Sequence, residues 1–228
     1  MSHALRPSTL TEACQAKAHG AVPYAGGTDI MVRQRDIRRA GQGAPLLFLD
    51  AIPEMQGIQP GADEIRIGAM NTMAEIAAHQ GLPPLLRLGC GSVGSPALRN
   101  MATIGGNICS ASPAADSVAP LHALDTLAEV RGPTGARRLP LEELLLGPGR
   151  TALGEDDLLT AVILPQRPLG HHFHRKVAPR LSNAITQVSL AAWALVEGGM
   201  VSSVRLAFGS VGPVVIRCRK AESLIKGA

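Results

Sequence analysis

An α+β fold is what this 228-residue sequence predicts, and three observations predict it. Helix-patterned segments with capping signals alternate with short apolar runs as far as Pro165. After Gln166 the texture changes to strand-like runs joined by the turn Glu197-Gly-Gly199. The length suits one large or two modest domains, and the apolar content is enough for a real core. The expected division begins with a first domain over residues 1–165. A smaller sheet-and-helix domain follows over 170–228, the boundary falling near Pro165–Gly170.

In chain order, residues 3–20 read as a helix, with Ser8 or Thr9 as cap, Glu12 completing a capping box and His19-Gly20 as the stop. Ile30 to about Arg39 reads as helix or irregular structure. Pro45–Asp50 is a compact apolar run, expected as a buried strand that Ile52-Pro53 breaks. Ile65 and Ile67 alternate with charged neighbours, so Ile58–Gly68 suits a hairpin about Gly61-Ala-Asp63. Asn71 or Thr72 then caps a helix over Met73–Gln80, and Pro83-Pro84 opens an apolar helix towards Gly94. Ser117–Leu127 reads as a helix, Leu127–Val130 and Arg137–Leu139 as a hairpin, and Leu141–Leu146 as a short helix closed by Gly147. Leu158–Leu164 is β-like in its second half. Phe173–Val177, Ala184–Val196 and Met200–Val211 read as antiparallel strands, and Ala221–Lys226 opens a last helix.

One stretch fits neither period. Thr103-Ile-Gly-Gly-Asn-Ile-Cys-Ser-Ala-Ser-Pro-Ala-Ala-Asp116 carries small residues, short polar groups and a closing acid, and is expected as a loop. Paired glycines let main-chain N–H groups approach a ligand with no Cβ between, which suits phosphate oxygens. A glycine-rich turn with a Ser-Pro stop is the plainer alternative for that stretch alone. A second stretch, Tyr24-Ala-Gly-Gly-Thr-Asp-Ile30, has the same chemistry, so the two can close on the two phosphates of one dinucleotide. Neither is G-x-x-x-x-G-K-[ST] or a helix-opening G-x-G-x-x-G, which disfavours P-loop and Rossmann sites.

Ala25-Gly-Gly-Thr-Asp29 and Thr103-Ile-Gly-Gly-Asn107, with Ala111-Ser-Pro-Ala-Ala-Asp116 following, closely resemble the FAD-binding medium subunit of molybdenum hydroxylases. That family includes bacterial xanthine dehydrogenases, carbon monoxide dehydrogenase and aromatic-ring hydroxylases. Ser95–Asn100, Asp157–Pro165, Phe173–Lys176, Val204–Pro213 and Ala221–Leu224 match in the same order, so the resemblance covers nearly the whole chain. It implies a two-subdomain FAD-binding fold of the vanillyl-alcohol-oxidase (PCMH) type, with subdomains of about 1–54 and 55–165, followed by a partial carbon-monoxide-dehydrogenase-flavoprotein C-terminal domain. In relatives that closing domain continues for a few dozen residues, so an incomplete closing domain is expected here.

The resemblance also implies roles. Tyr24, Ala25, Gly26, Gly27, Thr28, Asp29 and Ile30 form one cofactor-binding loop, with the amides from Gly26 to Asp29 for one phosphate. Thr103, Ile104, Gly105, Gly106 and Asn107 form the other, with the amides from Gly105 to Asn107 and the Thr103 hydroxyl for the second phosphate. Asp116, with Ser110 near it, suits ribose hydroxyls; a helix N-cap is the alternative for Asp116. Val93 and Leu159 match positions that pack on the cofactor's rings, where ordinary core is the alternative. Lys176 matches a lysine near the flavin, where a surface lysine is the alternative. No residue of this chain is expected to be catalytic. Molybdenum cofactor belongs on a large partner subunit and 2Fe-2S clusters on a small one, with electrons passing through FAD to NAD or another acceptor. Xanthine-dehydrogenase-type subunits match best. The rival readings are a stand-alone flavin reductase of the same fold and a non-catalytic nucleotide-binding or assembly module.

Composition removes other classes. Only five residues are aromatic, which leaves no stacking platform for single-stranded nucleic acid. The net charge of +4 gathers in Arg33–Arg39 and Arg217–Lys220, read as a solvated face or a contact for an acidic partner subunit. Cys14, Cys90, Cys109 and Cys218 form no C-x-x-C pair, so no zinc or iron–sulfur site is indicated. His171, His172 and His174 lack an accompanying Cys or carboxylate, and no metal site is expected. Cys109 reads as a small loop residue, not a nucleophile. With no signal peptide and no apolar run of membrane-spanning length, a cytoplasmic protein with free thiols is expected.

Overall fold

The computed structural model describes residues 4–32, 43–133, 135–180 and 182–228. Among the described residues, three larger sheets follow one another along the chain, with one two-stranded sheet besides. The first is small and parallel: β1 (Ala4–Leu5), β2 (Val22–Tyr24) and β3 (Leu46–Phe48), with β3 in the middle. Helix α1 (Leu10–Ala18) packs against β3. The helix expected over 3–20 begins only at Leu10. Thr9 caps it, its hydroxyl accepting from Glu12 N at 3.2 Å while the Glu12 carboxylate accepts from Thr9 N at 3.3 Å. Upstream, Pro7 holds Arg6 out of helical geometry, and Ala4 and Leu5 pair with Leu46 and Leu47 instead. Leu10, Ala13, Leu47, Leu49 and Ile52 form the core of this unit. Ile52-Pro53 does break the run after β3, as a 3₁₀ turn over Pro53–Met55. Residues 33–39 of the expected Ile30–Arg39 element, with its basic run, lie outside the described residues.

The second sheet is antiparallel. The expected hairpin is β4 (Ile58–Pro60) and β5 (Glu64–Gly68). Helices α2 (Met73–Ala78), α3 (Pro84–Gly91), α4 (Pro96–Arg99), α5 (Ile104–Cys109) and α6 (Val118–Ala123) follow. Thr72 closes a capping box with Glu75 on α2, and Pro83-Pro84 opens α3 as its first turn. The next hairpin is β6 (Leu127–Gly132) and β7 (Gly135–Pro140). Helix α7 (Leu141–Leu144) ends earlier than Leu146. Leu145–Gly147 becomes β8 and pairs with β9 (Arg150–Thr151), so cross-strand pairing overrides the helical pattern. The last strand, β10 (Leu158–Pro165), inserts between the two hairpins to give the order β4-β5-β10-β6-β7. It is buried from Leu158 to Leu164, which is why it reads as a continuous apolar run and not as an alternation.

The stretch expected as a loop after Thr103 is helical over α5. Thr103 acts as its N-cap, its hydroxyl accepting from Gly106 N at 3.1 Å. Helix α6 is shorter than Ser117–Leu127, because Asp125 adopts φ +50° and turns the chain into β6.

The third sheet is β11 (His171–Val177), β12 (Val188–Glu197), β13 (Met200–Gly209) and β14 (Ile216–Arg217), joined in sequence order and followed by α8 (Arg219–Ile225). The β12–β13 turn puts Gly198 and Gly199 at φ +59° and +82°, a conformation glycine takes without strain. Strand β12 starts four residues later than expected, and the connection before it reaches Gly94 through Ser182 and Asp116 through Thr186. Ser189, Ala191 and Trp193 face inward, and α6 packs against β12 and β13.

Candidate functional site

A cleft of about 800 Å³ opens where the three sheets meet. Its first wall is the turn after β2. Gly27 sits there at φ +74°, and a Cβ on it would lie 2.1 Å from the Tyr24 hydroxyl. Among the described residues, the N–H groups of Gly26, Gly27 and Thr28 have no acceptor. Gly27 is buried and its two neighbours are half-buried, and three such donors in succession form a concavity suited to an anion. Facing them across the cleft, Ser110 Oγ lies 3.0 Å from Asp29 Oδ2 and 2.9 Å from Gly106 O, so the two glycine loops touch.

The second loop does not offer its amides in the same way. Gly105 N donates to Ala69 O at 2.9 Å, Gly106 N to the Thr103 hydroxyl at 3.1 Å, and Asn107 N to Thr103 O at 3.0 Å. This departs from the expected amide cradle for a second phosphate, and α5 is the reason: helix formation and its docking on Ala69 engage those groups. The loop contributes instead a wall of small residues, the Thr103 hydroxyl proton and the Asn107 side-chain amide. Asn107 Oδ1 accepts from Ser117 Oγ at 2.6 Å.

Of the expected site residues, Ala25, Gly26, Gly27, Thr28, Asp29, Ile30, Val93, Thr103, Gly105, Gly106, Asn107, Ser110, Asp116 and Leu159 line the cleft together. Three do not. Ile104 is fully buried in the core beneath α5. Tyr24 lies under its own loop, its ring 4.7 Å from that of Phe48. Lys176 is turned to an ion pair, Nζ 2.6 Å from Asp116 Oδ2 and 3.1 Å from Ser92 O, so the cation expected beside a flavin is neutralised behind the wall. The alternative of Asp116 as a helix cap does not hold, since its oxygens meet Lys176 and Thr186.

Among the lining residues that the sequence reading did not name, two groups stand at the cleft's margins. Gly154–Leu158 closes one end beside Lys17, whose Nζ donates to Glu155 O. Asp157 ties that turn, accepting from Gly154 N at 2.7 Å, and Arg137 holds its carboxyl below the ordinary range. In sequence this is an ordinary acidic turn, with no signal to single it out. At the other end Ala184 and Ile185 reach over from the third sheet, and Ile185 is 80% exposed. Cys109 is reachable by water through the cleft but surrounded by protein, and that burial pushes its thiol up to about 12. A thiol raised in this way stays protonated at neutral pH. Among the described residues, no group of three His, Cys, Asp or Glu side chains is placed to hold a metal ion.

A long ligand fits such a place. The volume suits a dinucleotide, the unpaired amides suit its phosphates, and Asp116 and the hydroxyls suit its sugars. Comparison with known proteins agrees. Residues 1–167 match the FAD binding domain in molybdopterin dehydrogenase, and residues 173–228 match the CO dehydrogenase flavoprotein C-terminal domain. The xanthine dehydrogenase FAD-binding subunit of Escherichia coli O157:H7 is 32% identical over 98% of this chain and 78% of its own length. The nicotinate dehydrogenase FAD-subunit of Eubacterium barkeri is 30% identical over 97% of this chain and 78% of its own. Among solved structures, carbon monoxide dehydrogenase from Hydrogenophaga pseudoflava superposes with a TM-score of 0.90 at 26% identity, over 99% of this chain and 80% of that one. The chain therefore belongs to the FAD-binding subunits of the xanthine dehydrogenase and carbon monoxide dehydrogenase family of molybdenum hydroxylases, and is an oxidoreductase subunit.

Proposed function

We propose that this chain is the electron-transfer subunit of a xanthine-dehydrogenase-like complex and that it holds FAD in the cleft between its three sheets. FAD bound there would relay electrons from iron–sulfur clusters on a small subunit to NAD or another acceptor, substrate being oxidised at molybdenum on a large subunit. The observation that carries the reading is the pairing of the two glycine loops across one cleft, with the amides of Gly26, Gly27 and Thr28 lacking acceptors. Those amides take a phosphate. Asp116 accepts from sugar hydroxyls, and Val93 and Leu159 supply apolar surface for a ring. No residue among these moves a proton or attacks a substrate. The chain's work is to bind, orient and partly desolvate the cofactor.

Residues 1–165 serve as the FAD-binding domain and 170–228 as the domain that closes the cleft from the third sheet. The large and small subunits are the partners in this reading, and a cytoplasmic site of action belongs to it. Among the described residues, no helix is long and apolar enough to cross a membrane.

The test is a visible absorbance spectrum of the purified chain, followed by quantification of the cofactor released on denaturation. About one FAD per chain, bleached on adding NADH, is the expected result. A colourless chain that also fails to take up added FAD refutes the reading. FAD that NADH leaves oxidised would keep the cofactor and discard NAD as acceptor.

A further inference from the structure

The acidic group on the cleft wall is held by a different part of the molecule. Asp116 precedes α6, is 7% exposed and is among the residues that line the cleft. Its Oδ1 accepts from the Thr186 hydroxyl and its Oδ2 from Lys176 Nζ. Both donors come from the part of the chain that builds the third sheet: Lys176 from β11, Thr186 from the connection leading into β12. Each is itself anchored. Lys176 Nζ also donates to Ser92 O at the end of α3, and Thr186 O accepts from Ser210 Oγ at 3.0 Å beyond β13.

Thr186 is 5% exposed, and its hydroxyl has Asp116 as acceptor. A valine of the same shape would fill that space without a polar atom to satisfy, so packing alone gives no reason for the hydroxyl. A carboxylate has about four lone-pair sites. Two are taken by the third sheet, and the rest are left for a ligand in the cleft.

We propose that Thr186 is a positioning residue of the cofactor site: with Lys176 it fixes the Asp116 carboxylate so that its remaining lone pairs accept from a vicinal diol, making cofactor affinity depend on the docked third sheet. This rests on the cleft being the FAD site, the diol then being that of the cofactor's ribose.

The experiment is FAD titration by flavin fluorescence on the full chain, for the native sequence, T186V, T186S, D116N and T186V/D116N, with apo melting curves alongside. T186V is expected to weaken FAD on the order of ten-fold, and T186S, which keeps the hydroxyl, to stay close to native. D116N is expected to weaken FAD at least as much, and the double variant no more than D116N, because Thr186 acts through Asp116. A purely structural role would lower melting and add to D116N. Native-like affinity in T186V, additive losses, or a T186S as weak as T186V would each overturn the inference while leaving FAD binding intact. A native chain that binds no FAD overturns both the inference and the site reading. If T186V does not fold, T186A against T186S carries the same comparison.

Discussion

Gly26 and Gly106 sit in matching sequence motifs and do different things. A Cβ on Gly26 would fall 1.8 Å from the Met101 carbonyl oxygen, so the loop and the chain before Thr103 can meet only with glycine there. A Cβ on Gly106 would meet only the Thr103 hydroxyl at 3.0 Å and Ala25 Cβ at 3.8 Å, on the side where the two loops face each other. G26A is therefore expected to cost about 1–3 kcal/mol, a melting point lower by roughly 2–10 °C, with or without FAD. G106A gains helix propensity inside α5, up to about 1 kcal/mol, which offsets its contact, so its apo melting point stays within roughly 3 °C of native. Its methyl narrows the gap between the loops, and FAD affinity is expected to fall on the order of ten-fold. Apo melting curves with FAD titrations check both. A G106A as unstable as G26A, with FAD affinity kept, would reverse the assignment. The doublets themselves were legible as ligand-loop chemistry. What surrounds each glycine was not, because Met101, which crowds Gly26, and Ala69, which takes the Gly105 amide, are distant in sequence from them.

Elements meet at Asp125. After α6 its Oδ2 accepts from Arg167 and from Arg205 Nε at 2.9 Å, and its Oδ1 from Arg217 Nη1 at 2.6 Å. The three cations come from the linker after β10, from β13 and from β14, so one carboxylate ties the second sheet to the third. Arg217 also donates to Glu222 at 2.9 and 3.0 Å, which brings in α8, and Arg167 lies 5.5 Å from the Trp193 ring centre. The arginines outweigh their own desolvation cost on Asp125 and hold its carboxyl below the ordinary range. D125N keeps the shape but leaves three guanidinium groups facing a neutral amide. It is expected to cost about 2 kcal/mol and lower the melting point by roughly 4–8 °C, read by calorimetry. A D125N that melts as the native chain does would mean the joint is held by packing alone. At this scale the sequence was most legible where local rules act: the capping boxes at Thr9 and Thr72, the hairpins about Gly61 and Gly132, the alternation through Ile65 and Ile67. It was least legible where distant pairing decides, as at Ala4–Leu5 on β3 and at Leu145–Gly147, where a strand partner ends a helix pattern. No sequence pattern could show that β10 inserts between two hairpins that both precede it.

The whole molecule should feel acid in two stages, because two kinds of group are held away from their ordinary titration. Burial lowers the pKa of His122, whose Nδ1 lies 2.9 Å from Val118 O, and of His174, whose Nε2 is buried with no partner. Both sit below the unfolded value of 6.5, so between the two values the unfolded chain binds more protons than the folded one. Stability then rises with pH through that window and is lost as pH falls below 6.5. Asp125, Glu129, Asp157 and Glu222 are depressed by arginine partners. Their contribution is complete above the ordinary carboxylate values of 3.8 and 4.5 and disappears as pH falls through the lower folded values. Urea unfolding from pH 8 to pH 3 should show a plateau above about 7, a shallow decline below about 6.5, and a steeper one below about 4.5. H174L removes a proton acceptor that bonds nothing, so it should flatten the shallow stage without lowering stability at pH 8. An unchanged slope in H174L would take His174 out of the account and leave the shallow stage to His122. The steeper stage strips charge from Asp125, the carboxylate that joins the second and third sheets. Loss of FAD should follow that stage, because the cleft needs both sheets to stay closed.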